Sequence, residues 1–127
     1  MSSMSFVPAK LSAGTVNGAA INWEKYHRSR FILAFGAFDV GASLDCKVQE
    51  SDDAAAWVDV GGAAVFATAY EDSAGLVIEG LLYHSTKRKK FLRAVVTIAG
   101  GDVAFAVLID LTREEKVYGS PQWTVAD

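Results

Sequence analysis

One thiol, two imidazoles, an acidic triplet and a run of four cations are the groups in this chain of 127 residues whose types could do chemistry. Cys46 is the sole cysteine, so no internal disulfide can form, and a nucleophilic role would need a base beside it. It lies in Leu44-Asp45-Cys46-Lys47-Val48, on the Leu44 and Val48 side of an alternating segment, the position of a small buried apolar side chain. Neither His27 nor His84 is near it in sequence. Each sits beside a strand end, in Tyr26-His27-Arg28 and Tyr83-His84-Ser85, outside any cluster with metal-ligand spacing. Glu50, Asp52 and Asp53 crowd one hairpin loop without the alternating Asp/Asn spacing of an EF-hand, and a solvated turn is expected there. No Gly-x-Ser-x-Gly context and no glycine-rich loop opening a helix is present. These residues predict a non-enzymatic protein with no cofactor and no metal.

Lys87, Arg88, Lys89 and Lys90, with Arg93, hold five of the twelve Lys and Arg residues, the main charge asymmetry of the chain. A nucleic-acid surface would interleave stacking aromatics with such cations, and only Phe91 is adjacent. The readings that remain are a solvated turn protecting a sheet edge and a docking site for an acidic protein surface. Among the tryptophans, Trp57 opens a strand after a hairpin loop and is expected in the core. Trp123 lies in an apolar-dotted tail and is the candidate partner anchor, because buried Trp dominates interface energetics. Phe6 and Tyr118, in the two terminal segments, complete the expected partner-binding set with Trp123 and the four consecutive cations.

The elements that would carry these groups are all strands. A chain of this length forms one domain and buries roughly two-thirds of its unfolded surface, so neither a disulfide nor a metal is needed for stability. Apolar residues are 51% and charged residues 21%, which argues against disorder, and the net charge of −3 creates no field favouring nucleic acid or anionic membrane. The first eight residues lack a basic n-region and an apolar h-region, and no apolar run approaches the ~20 residues of a membrane helix. Synthesis in the cytoplasm is the expectation. Residues 31–38 and 76–83 are apolar runs of strand length, and residues 44–50 alternate cleanly. Gly36 predicts a bulge or a close backbone approach. Residues 57–60 read as a return strand, and residues 61–72 as an irregular strand or a helical turn through their alanines. Residues 91–98 and 103–111, joined by Ala99-Gly100-Gly101-Asp102, read as a β-hairpin. About six to eight short antiparallel strands without an amphipathic helix predict an all-β, single-domain β-sandwich or jelly roll. Residues 15–111 form the domain in this reading. Residues 1–14 are an extended arm and residues 112–127 a tail, whose removal beyond residue 116 should leave the fold intact but weaken assembly.

Two segments together resemble a known group. Residues 47–60, KVQESDDAAAWVDV, are followed by residues 86–101, TKRKKFLRAVVTIAGG, and an apolar closing strand. This order is similar to that of small structural proteins of tailed bacteriophages, often encoded beside the major capsid protein, and the likeness covers residues 31–111. It implies a virion component on the outer capsid surface, a cement or decoration protein that bridges neighbouring capsomers. The implied partners are the major capsid protein and a second or third copy of the chain; the charge and hydropathy read above argue against a nucleic-acid partner and give no membrane. The resemblance transfers no catalytic residue. The chain departs from the group by continuing through Val117, Tyr118 and Trp123 after the last core strand. A phage tail or baseplate protein and a glycan-binding sandwich that exposes Trp and Tyr rings are the alternatives.

Overall fold

The computed structural model describes residues 2–60, 64–112 and 122–125, with backbone alone for residues 2–10. Ten strands follow in chain order: β1 (Ser2–Leu11), β2 (Gly14–Asn17), β3 (Ile21–Asn22), β4 (Arg28–Phe38), β5 (Ser43–Ser51), β6 (Val58–Asp59), β7 (Val77–Tyr83), β8 (Phe91–Ala99), β9 (Val103–Thr112) and β10 (Trp123–Val125). A single 3-10 turn, Glu71–Ser73, is the helical element among the described residues. The strands form two sheets, β1-β9-β4-β7-β10 and β2-β8-β5-β6, with β3 also pairing β8. The protein is an all-β sandwich.

The alternation read from sequence sets which side chains meet between the layers. Phe31, Leu33 and Phe35 of β4 and Val103, Phe105, Val107, Ile109 and Leu111 of β9 face inward from the first sheet. Leu44, Cys46 and Val48 of β5 and Leu92, Ala94, Val96 and Ile98 of β8 answer from the second. Cys46 is thus a core residue. Gly36 falls where the β4·β9 register shifts between Phe35 and Phe38, and a Cβ there would press on the Ala104 Cβ at 3.0 Å, so the expected bulge and close approach coincide.

Three expectations are corrected. The segment 91–111 is not a hairpin: β8 pairs with β2, β3 and β5, while β9 pairs with β1 and β4 in the other sheet. The turn between them is an arch joining the layers. Gly100 and Gly101 have φ of 78° and 151°, and Asp39 and Asp102 lock the arch to the end of β4: Asp39 N–H donates to the Asp102 carbonyl at 2.9 Å, and Asp102 N–H to the side-chain Asp39 Oδ2 at 2.9 Å. Residues 2–11, expected as a free arm, are edge strand β1 along β9, and Pro8 falls inside the register shift between Phe6 and Ala9, where a missing N–H is tolerated.

The third correction concerns the tail. Its last described residues form β10, parallel to β7 with Trp123 beside Gly80, so the strands are not all antiparallel. Residues 61–72 are irregular where described. Isolated bridges join Val65 to Lys47 and Ala69 to Leu44, and the helical turn comes later, at Glu71–Ser73.

Candidate functional site: the acid–base corner of the second sheet

The register of β5 against β8 brings the two segments that carry the resemblance side by side. Gln49 stands opposite Arg93, Glu50 opposite Leu92 and Ser51 opposite Phe91. The loop after β5 therefore lies against the connector between β7 and β8, which carries the four cations. Acid and base interlock there. Glu50 is inward-facing and buried; its Oε1 accepts the Lys89 backbone N–H at 3.0 Å and its Oε2 lies 3.5 Å from Arg88 Nη1. Arg88 is as deeply buried as its partner, with side-chain exposures of 9% and 6%. Lys89 Nζ reaches Asp52 Oδ2 at 3.1 Å nearer the surface.

Trp23 closes the corner from below. Its backbone N–H donates to the Lys90 carbonyl at 3.1 Å and its indole Nε1–H to the Lys89 carbonyl at 2.7 Å. The ring is fully buried and stacks on His84, with centroids 4.3 Å apart and planes 12° from parallel. His84 Nδ1 lies 2.9 Å from the Tyr26 carbonyl, which can only accept, so Nδ1 carries the proton. His27 is exposed, and its backbone carbonyl takes the His84 N–H. The two imidazoles thus serve different ends: His84 fixes the corner, while His27 faces solvent.

On the outer face of the second sheet, Arg93 donates to Gln49 Oε1 through Nε and Nη2, at 2.9 and 2.7 Å, and lies 4.3 Å over the Trp57 ring. Gln49 and Lys47 both donate to Asp59, and these bonds hold its carboxyl below the ordinary range, Gln49 first. The loop between is a tight Asx-type turn. Ser51 Oγ accepts the N–H of Asp53 and Ala54, and Asp53 Oδ1 accepts those of Ala55 and Ala56, both at 2.9 Å. Ala54 takes a left-handed φ of 60° to make this possible. With its carboxylate committed to the Ala56 and Ala55 amides, Asp53 has its pKa drawn down to about 2.

The expected partner-binding residues separate accordingly. Lys87 and Lys90 are exposed; the buried Arg88 side chain and half-buried Lys89 pair with Glu50 and Asp52. Because β8 runs inside its sheet, the cluster guards no edge, and that reading of it is set aside. Trp123 is 6% exposed and sits 5.8 Å from Phe31 and 5.4 Å from Phe66, centroid to centroid, so it anchors its own core. Trp57 is half-buried rather than a core residue. The Phe6 backbone pairs with Val107; its side chain and all of Tyr118 lie outside what is described.

Chemically, the corner is built to hold shape. Burial pushes the Cys46 thiol up to about 12, with Asp45 adding to the shift, so it stays protonated at neutral pH. Among the described residues, no group of three or more His, Cys, Asp or Glu side chains is arranged to hold a metal ion. A groove of about 420 Å³ runs along Asn22, Glu24, Lys25 and Tyr26 beside the corner, and another of about 320 Å³ opens on the second sheet along Asp45, Lys47, Val65, Val95 and Thr97. What sequence reasoning missed is the buried pair Glu50–Arg88 and the Trp23–His84 stack. Opposite charge in two separate segments was a signal for the first; nothing local marks the second. No protein-family model matches the chain, and no curated protein and no solved structure matches it either.

Proposed function

We propose that the protein is a non-enzymatic structural component of a phage virion, a cement or decoration protein that binds the outer capsid surface and bridges neighbouring capsomers. The observation that carries this reading is the joining of residues 47–60 and 86–101 into one buried, cross-braced corner. The resemblance rests on those two segments, and their residues support each other in space. A rigid corner with Lys87 and Lys90 exposed on it suits docking on a preformed acidic protein surface. Trp23 and Trp123 are buried and Trp57 lies beneath Arg93, so these rings make no exposed row for a sugar.

The mechanism is stabilisation by selective binding. A protein that binds the expanded lattice but not the free subunit adds its binding free energy to the shell. Bridging two capsomers converts the second contact into an intramolecular event, raising avidity without a new contact type. The sandwich would serve as a rigid spacer, in the virion, after synthesis in the host cytoplasm. The test is pelleting of the purified protein with expanded, undecorated capsids and, in parallel, its mixing with free major capsid protein. Saturable pelleting with capsids alone is expected. Failure to pellet with them would overturn the reading.

A further inference from the structure

The two sheets of the sandwich present different outer faces. On the second, the outward positions of β5 are Asp45, Lys47 and Gln49, the polar alternation of a sheet with one face in water. On the first, a block of outward positions is apolar: Ile32, Ala34 and Gly36 of β4, Ala104, Ala106 and Leu108 of β9, and Val77 of β7, all partly or fully exposed. Register makes them contiguous. Ala34 stands between Val77 and Ala106, Ile32 stands beside Leu108, and a Cβ on Gly36 would press on Ala104. This is why residues 31–38 and 103–109 read as nearly continuous apolar runs, the pattern of strands buried on both faces. Contiguous apolar exposure of this kind marks a surface that another molecule covers.

The block tapers. Its large side chains, Ile32 and Leu108, share one end, and its smallest residues, Gly36 and Ala104, share the other. At the large end stands Arg30, 3.5 Å from Asp110 and 4.0 Å from Glu79, and past it the outward Leu81 and Arg28 are buried, so the open face stops there. A second copy turned end for end fits this shape. Ile32 and Leu108 of each copy then lie over Gly36 and Ala104 of the other, Ala34 lies over Ala34, and the charged groups at the large end clear their counterparts. Turned instead about an axis along β4, large would meet large, small would leave a gap, and Arg30 would face its own copy. A face that fits itself in one orientation points to a copy of itself as its cover; a different partner would require no such match.

We infer that the chain forms a two-fold dimer through the outer face of its first sheet, the axis crossing the strands at Ala34. Three strands about 4.8 Å apart and five residues of rise give the open apolar block roughly 250 Å² per copy. That is the core of an interface and less than the whole of a standard one, so the dimer is reversible and concentration-dependent. The inference goes beyond the capsid binding proposed above and stands on the sheet face alone, so either can fail without the other.

The test is sedimentation equilibrium of the full chain over a range of concentrations, with circular dichroism confirming that each variant folds. Wild type should pass reversibly from monomer to dimer, and added salt should not dissociate the dimer, because the contact is apolar. Ala34→Glu and Ala106→Glu each set a carboxylate against the other copy's face and should lower the association constant at least about tenfold. Ala34→Cys gives a second readout with little change in size. A short bis-maleimide should join two copies through it, since the native Cys46 is buried, whereas Val58→Cys on the second sheet should stay monomeric under the same treatment. A wild type that is monomeric at every concentration overturns the inference, and shielding of Ala34→Cys by expanded capsids would then give the face to the shell instead. Glutamate variants that associate as well as wild type, or equal cross-linking at Val58→Cys and Ala34→Cys, overturn it too.

Discussion

At Gly80 the missing side chain is what lets Trp123 reach Phe31 and Phe66, since a Cβ built there would overlap the indole ring. Gly80→Ala should therefore displace β10 and cost about 1–3 kcal/mol in urea unfolding, although alanine suits a strand better than glycine. Trp123→Ala removes the filler instead, with an expected loss of about 3–5 kcal/mol. If Trp123 were only a partner anchor, neither change would move the midpoint of the isolated protein. Asp53 makes a prediction in pH. Its folded pKa, about 2, lies below the ordinary 3.8, so the unfolded chain takes up the proton first as pH falls. The stabilisation is complete above about pH 4 and disappears as the pH approaches 2. Asp53→Asn keeps the oxygen that Ala55 and Ala56 use but has no such titration. The stability gap between wild type and variant should shrink from about pH 5 to about pH 2.5, and a constant gap would contradict the assignment.

Elements, rather than single residues, decide whether the corner is rigid. Breaking the buried Glu50–Arg88 pair from either side leaves a charge without its partner, so Glu50→Ala or Arg88→Ala should cost about 3–5 kcal/mol, with a clear non-additive coupling in the double mutant. Strict additivity would mean that the connector is not tied to β5. Removing residues 117–127, which the tail reading expects to leave the fold intact while weakening assembly, removes β10 and should lower stability measurably. The strands themselves were legible, because alternation at residues 44–50 and apolar runs at 31–38, 76–83 and 103–111 are local properties. Their partners were not. Leu92, Ala94, Val96 and Ile98 face the core whether β8 turns back on β9 or arches to the other layer, and Gly100-Gly101 permits either. The bonds that choose the arch come from Asp39, some sixty residues away. β1 was hidden because its Ser-rich, Pro-containing sequence has no alternation, and its pairing is a backbone matter. β10 depends on a slot at Gly80 that no pattern near Trp123 announces. At the corner, the charges of Glu50, Asp52, Arg88 and Lys89 were visible, but their meeting is a consequence of register.

Among the described residues, the interlocked charges and the exposed apolar group lie at different ends of the molecule. The braced acid–base corner lies at one, and Val40, Tyr70, Leu76 and Val77 with Glu71 and Asp72 lie at the other. A domain braced internally by paired charges suits repeated placement on a lattice. The claim that this happens on a capsid is tested most directly by an electron-microscopy map of the particle that carries the protein. The account predicts sandwich-sized density on the outer face of the expanded head, each copy spanning neighbouring capsomers. Finding the density in the tail or baseplate, or a complete particle without it, would contradict the account.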